Sequence, residues 1–244
     1  MHPVLLSLGP LEIPTYGVLV AVAWLTGVRW LTSRRGELGL SEDELWSIVY
    51  WVFAGAFVGG KLLYFIVSPD SLSWSLEALR YGFVFYGGLA GTIAAGAWQC
   101  RRRGFPFFRV ADYAVAALAL GHGIGRLGCL AAGCCYGRHT ELPWGVALAG
   151  DPSRHPTQVY EALLNFVLFG FLAGYALPRV KDGRWRSGRV LLCYAMGYAL
   201  LRYVVEFFRG DDRGALWAGQ SPSQWLALLS AAAALAALAR RERQ

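Results

Sequence analysis

Four charged residues lie within or at the ends of strongly apolar stretches: Lys61, Arg126, Arg202 and Glu206. A charge deep in a bilayer costs at least about 2.5–3.5 kcal/mol on insertion scales, so such a group faces a polar interior and pairs there. Arg202 and Glu206 are four residues apart and share one face of a helix. Tyr198 precedes them by one turn and Arg209 follows, so a polar stripe marks an otherwise apolar helix and suggests a lined cavity. Arg126 sits in His122-Gly123-Ile124-Gly125-Arg126-Leu127-Gly128, where glycines let a ligand or another backbone come close. A planar guanidinium there can grip a phosphate through two parallel hydrogen bonds. In a lipid-facing chain that phosphate belongs to a phospholipid head group; the competing reading is an ion pair that only joins helices.

Three thiols follow directly: Cys129, Cys134 and Cys135. They read as small side chains packed in a tight turn, as a redox pair or covalent thiol, or as metal ligands. Their spacing is not that of a structural zinc site, and no metal ligands are assigned. Further on come Arg154-His155-Pro156-Thr157-Gln158-Val159-Tyr160-Glu161. Pro156 favours a turn, and Thr157 is read as capping the next helix with Glu161 nearby.

The elements that must hold these groups are membrane helices. Of 244 residues, 56% are hydrophobic and 16% charged, against about a quarter charged in soluble domains. Mean hydropathy is +0.39. Apolar runs fall at 12–32, 44–67, 83–100, 110–131, 158–178, 189–208 and 222–239, each close to the roughly 20 residues a span needs. These values exclude an ordinary soluble enzyme and a disordered chain. The expected fold is an all-α integral membrane protein of about seven transmembrane helices, forming one polytopic domain over 1–244.

The net charge of +7 is topology signal and lipid-head contact rather than a nucleic-acid site. Arg34 and Arg35, Arg101 to Arg103, the basic group from Arg179 to Arg189, and Arg240, Arg241 and Arg243 fall on one side of alternating spans. The positive-inside rule then places the N-terminus outside and the C-terminus in the cytoplasm. The first run lacks a basic flank followed by a cleavage site, and it is read as a retained span.

At these residues the sequence resembles the prolipoprotein diacylglyceryl transferase family. The match runs through Pro14-Thr15-Tyr16-Gly17, Gly60-Lys61-Leu62-Leu63-Tyr64, Tyr86-Gly87-Gly88-Leu89-Ala90-Gly91 and Gly125-Arg126-Leu127-Gly128. It continues with Pro143-Trp144-Gly145, the segment from Arg154 to Glu161, and Tyr198, Arg202, Glu206 and Arg209. The resemblance implies a multi-pass transferase of lipoprotein biosynthesis in the bacterial cytoplasmic (inner) membrane. Its partners would be phosphatidylglycerol, the signal-peptide region of a prolipoprotein and membrane lipids, with no cofactor. The diacylglyceryl group would move to the thiol of a lipobox cysteine, releasing glycerol phosphate.

On that resemblance Arg126, Arg202, Glu206 and Tyr86 are the catalytic candidates. Arg126 and Arg202 would hold the phosphate and Glu206 would orient Arg202. Tyr16, Lys61, Gly88, Gly128, Gly137, His155 and Tyr198 would bind substrate. The chain also departs from the pattern. Tyr86 stands where the family has histidine, Lys61 where it has arginine, and Cys129 and Cys134 where it has asparagine and glutamate. His122, one turn before Arg126, is a candidate replacement base. The departures keep two other functions open: a phospholipid-dependent transferase with another acceptor, and a non-catalytic thiol-redox or lipid-binding protein.

Overall fold

A computed structural model describes residues 3–9, 11–68, 82–147, 152–211 and 216–242. The chain divides into two compact units, Thr32–Val110 and the combination of Met1–Leu31 with Ala111–Gln244. Helices lie over all seven apolar runs. They are α1 (Thr15–Ser33), α3 (Glu42–Val67), α4 (Phe85–Arg103), α5 (Phe107–Ala132), α6 (Thr157–Phe171), α8 (Arg189–Glu206) and α9 (Pro222–Glu242). Two short α-helices, α2 (Arg35–Leu38) and α7 (Leu177–Lys181), and a π-helical turn at Leu172–Ala176 that joins α6 to α7 complete the helical set among the described residues. Among the described residues, four helical segments are long and apolar enough to cross a membrane: Glu42–Val67, Phe107–Ala132, Thr157–Lys181 and Pro222–Arg240.

The all-α expectation needs one correction. Strands β1 (Val4–Leu8) and β2 (Leu11–Pro14) pair antiparallel ahead of α1. Gly9, at φ 61, allows the sharp reversal between them.

In the unit of Thr32–Val110, Ser41 opens α3 with a capping box. Its Oγ accepts from the Glu44 backbone N–H, and the Glu44 carboxylate accepts from the Ser41 N–H. Helix α3 then lies against α4 through glycines spaced four apart, Gly55 and Gly59 facing Gly87 and Gly91. A methyl group at any of the four would overlap a backbone carbonyl of the facing helix. Such small-residue stripes let membrane helices pack at close range. Gly91→Val therefore lowers stability by about 3 kcal/mol, the upper end of overpacking costs, because the carbonyl cannot retreat. Thermal unfolding in detergent checks this; Gly36→Ala, where the added Cβ meets nothing within 4 Å, is the neutral control.

In the other unit α1 runs antiparallel to α5. A Cβ at Gly27 would lie 3.2 Å from the Ala117 carbonyl oxygen, one at Gly121 3.1 Å from that of Ala23, and one at Gly128 3.3 Å from Leu19 and Tyr16 side chains. Asp112, fully buried on α5, accepts from the backbone N–H groups of Gly188 (2.6 Å) and Leu191 (2.8 Å). A carboxylate thus satisfies the orphan donors at the N-terminus of α8 and complements its dipole. α8 in turn packs on α6 and α9. Those contacts fix the helix carrying Arg202 beside the helix carrying Glu161.

Candidate functional site

The intramembrane charges of α5, α6 and α8 meet at one carboxylate. Glu161, with no exposed side-chain surface, forms an ion pair through Oε1 with Arg126 Nη2 at 2.7 Å and through Oε2 with Arg202 Nη1 at 3.5 Å. Arg202 Nη2 donates to Glu206 Oε2 at 3.0 Å, four residues along α8. Ser221 Oγ donates to the other Glu206 oxygen at 2.7 Å. The chain of charges is therefore Arg126, Glu161, Arg202, Glu206: two cations alternating with two anions. Alternation is how charged groups are tolerated at depth, since each desolvated charge has a partner of opposite sign.

Arg126 and Arg202 are thus brought together at one carboxylate. Their juxtaposition is produced by Glu161, which the sequence reading had placed only near a helix start. Gln158, Glu161 and Asn165 are all buried and lie on one face of α6. That polar stripe carried the same signal that singled out Arg202 and Glu206.

Two local readings are corrected. Thr157 is the first residue of α6 and not its cap, which falls at Pro156. Its Oγ1 instead donates to the Cys135 carbonyl at 2.8 Å. The stripe on α8 does not continue as helix to Arg209, because α8 ends at Glu206. Arg209 turns into a two-pronged pair with Asp211, Nε to Oδ1 at 2.8 Å and Nη2 to Oδ2 at 2.6 Å.

His122 accepts at Nε2 from Arg126 Nε at 3.3 Å, and its ring lies 5.2 Å from that of Tyr198. Nε2 of His122, the candidate base, is thus engaged with Arg126 in this structure. Tyr198 also stacks on Tyr194. Tyr16, at the start of α1, is partly exposed and lies against Gly128.

His155 lies apart from the charge chain. It is buried, with Nδ1 3.2 Å from Tyr160 Oη, and Trp144 Nε1 donates to the same hydroxyl at 2.8 Å. Together with Leu142, Leu164, Val204, Val205 and Phe208 these rings line an apolar cavity of about 430 Å³. Arg126, Arg202, Glu206 and Tyr16 do not line it; the charged groups close on one another. Gly137 brings three loop segments together. Its N–H donates to the His155 carbonyl, the following N–H donates to that of Phe208, and a Cβ there would strike both residues.

Burial, and then the charge of Arg138, hold the His155 imidazole below its ordinary range. The unfolded chain binds a proton at this residue near pH 6.5 while the folded chain resists it. Stability from this residue is complete above that pH and declines as pH falls below it. Thermal unfolding at pH 7.5 and 5.5 checks this; His155→Gln makes the drop smaller.

The remaining candidates fall in the other unit. Lys61 is buried on α3, with Nζ 5.9 Å from the Tyr64 ring centre. Tyr86 is the second residue of α4 and is exposed. Gly88 is buried, and a Cβ there would lie 2.7 Å from the Phe83 ring.

The three thiols beside Arg126 converge. Cys129 lies in the last turn of α5, and the Sγ atoms of Cys129, Cys134 and Cys135 all lie within 4.8 Å of one another. The neighbouring Cys129 thiol holds the Cys135 thiol below its ordinary range, with burial opposing and the Arg209 guanidinium adding to the lowering.

Comparison with known sequences shows the family to which the chain belongs. The sequence pattern of the family described as "Prolipoprotein diacylglyceryl transferase" matches residues 3–240. A protein of Clostridium tetani is 36% identical over 239 residues, covering 94% of each chain. One of Bordetella avium is 36% identical over 241 residues, covering 93% of this chain and 89% of its own. One of Vibrio parahaemolyticus is 31% identical over 222 residues, covering 87% of this chain and 80% of its own. All three are named phosphatidylglycerol–prolipoprotein diacylglyceryl transferase. The chain belongs to the prolipoprotein diacylglyceryl transferase family, and it is a mostly helical multi-pass membrane protein.

Proposed function

We propose that this protein transfers a diacylglyceryl group from phosphatidylglycerol to the thiol of a lipobox cysteine. The observation that carries the reading is the meeting of Arg126 and Arg202 at buried Glu161, in a chain whose named relatives match it almost end to end. The acceptor sulfur attacks the glyceryl methylene carbon, the bond from that carbon to the phosphate oxygen breaks, and glycerol phosphate leaves. Negative charge gathers on the departing phosphate. Two guanidiniums held in place beforehand are suited to stabilise it, because they need no reorganisation as the charge develops. Glu161 and Glu206 aim the guanidiniums and keep them tolerable before the lipid enters.

Tyr16 and Tyr198 are assigned to the lipid head group, with Gly128 beside Tyr16. The apolar cavity at His155, with Gly137 at its edge, is assigned to apolar residues of the acceptor's signal-peptide region. Tyr86 as a catalytic group, and Lys61 and Gly88 as substrate contacts, rest on their motifs. The chain is taken as one polytopic domain of seven spans in the bacterial cytoplasmic (inner) membrane, N-terminus outside and C-terminus cytoplasmic. The alternation of basic groups along the sequence supports that orientation.

Expression in a bacterium depleted of its own transferase tests the proposal. The expected result is restored growth, with diacylglyceryl thioether on lipoproteins seen by mass spectrometry. A protein that inserts in the membrane but leaves the precursors unmodified would overturn it.

A further inference from the structure

The thiols of Cys129, Cys134 and Cys135 have no part in the charge chain, and packing accounts only for Cys129, which is buried. Cys134 is exposed and Cys135 only half-buried. Cys135 also adopts φ 64, a left-handed conformation that costs a non-glycine residue energy. That strain, with Gly133 at φ 71, folds the chain back so that both loop sulfurs reach the helix-borne one. The turn is clamped from α6. Buried Thr157 and Gln158 donate to the carbonyls of Cys135 (2.8 Å) and Cys134 (2.7 Å), and the Cys134 N–H donates to the Cys129 carbonyl at 3.1 Å.

We propose that Cys129, Cys134 and Cys135 form a three-sulfur site for one thiophilic divalent cation of the zinc class, with a fourth coordination position open to the acceptor's thiol. Zinc–sulfur bonds of about 2.3 Å at tetrahedral angles put ligand sulfurs about 3.8 Å apart. Sulfurs already within 4.8 Å of one another reach that spacing by small side-chain rotations. The spacing Cys129-x4-Cys134-Cys135 hides this, because the site depends on a turn that no glycine at position 135 announces.

Charge agrees with the assignment. Three thiolates and a divalent cation leave one net negative charge. Arg126 lies one turn from Cys129 on α5. Arg209 interacts with the Cys135 sulfur, and its Nη1 is a buried donor without a hydrogen-bond acceptor among the described residues. Two guanidiniums favour an anionic metal–thiolate complex over a bare cation. A disulfide would use only two of the three sulfurs.

Three protein ligands are the pattern of a catalytic rather than a closed structural zinc site. The use of the fourth position rests on the reading given under Proposed function, in which the acceptor is a cysteine. A thiol that coordinates such a cation is deprotonated outright. Its proton passes to water, and the bound thiolate carries the electron pair that forms the carbon–sulfur bond. The carbon–oxygen bond breaks with its electrons going to glycerol phosphate. The thioether that results is a weaker ligand than a thiolate and departs.

The full-length protein, purified in detergent, reduced and stripped of metal, is titrated with zinc and separately with cadmium against a chromophoric chelator. One equivalent per chain is expected, with cadmium producing thiolate-to-metal absorption. Each single Cys→Ser variant should bind more than about 100-fold more weakly, beyond what loss of an outer-shell partner costs. Uptake by wild-type protein no greater than by the triple Cys→Ser variant overturns the site. Because the cadmium absorption is read on the wild-type protein, the proposal does not depend on the variants folding. Metal bound without diacylglyceryl transfer refutes the proposed reaction and leaves the site standing. Transfer at the wild-type rate by the metal-free triple variant refutes the cation's part and leaves the reaction standing.

Discussion

Glu161→Ala destabilises the folded protein by about 3–5 kcal/mol, the cost of leaving buried charges unpaired. Glu161 is the shared anion of two guanidiniums from different helices, Arg126 on α5 and Arg202 on α8. Its removal leaves buried Arg126 with no carboxylate and Arg202 with Glu206 alone. In a chain of this size the loss is a fall of roughly 10 °C in unfolding temperature, measured in detergent. Glu161→Gln keeps the shape and loses the charge, so it falls less far. The double variant Glu161→Ala, Arg126→Met recovers part of the loss, because one stranded cation has been removed. Equal stability of Glu161→Ala and wild type would mean that the ion pairs do not hold these helices together.

Lysine at position 126 or 202 lowers diacylglyceryl transfer by about 100-fold, the scale seen when one donor to a developing anion is lost. An ammonium keeps the charge and loses the planar fork. Arg126 uses separate nitrogens for His122 and Glu161, and Arg202 separate nitrogens for Glu161 and Glu206. Lysine offers one nitrogen and cannot make either pair of contacts in the same geometry. The loss falls on kcat more than on KM, since the contact strengthens as charge moves onto the leaving phosphate. Initial rates with labelled phosphatidylglycerol and an acceptor peptide separate the two parameters.

The helices were legible because each apolar run is long and uninterrupted; the run at 189–208 became α8 almost residue for residue. Arg126, Arg202 and Glu206 were legible because a charge in such a run has few reasons to be there. Glu161 was not singled out because Pro156 and Thr157 mark a helix start, where an acidic residue is unremarkable. Only the buried face that it shares with Gln158 and Asn165 shows its place. The hairpin of β1 and β2 had a signal in Gly9-Pro10 between two short apolar runs, which the stronger helical pattern that follows obscured. The convergence of the thiols was beyond sequence reading. It depends on a left-handed cysteine and on two side chains of α6 gripping the turn, neither of which the spacing encodes.

Mass spectrometry of a lipobox peptide incubated with the purified protein and phosphatidylglycerol tests the central claim most directly. The account predicts a diacylglyceryl thioether on the peptide cysteine and an equal amount of released glycerol phosphate. It predicts neither product with the variant carrying both Arg126→Lys and Arg202→Lys. Folded wild-type protein that yields no thioether, or a double variant that yields as much as wild type, would contradict it.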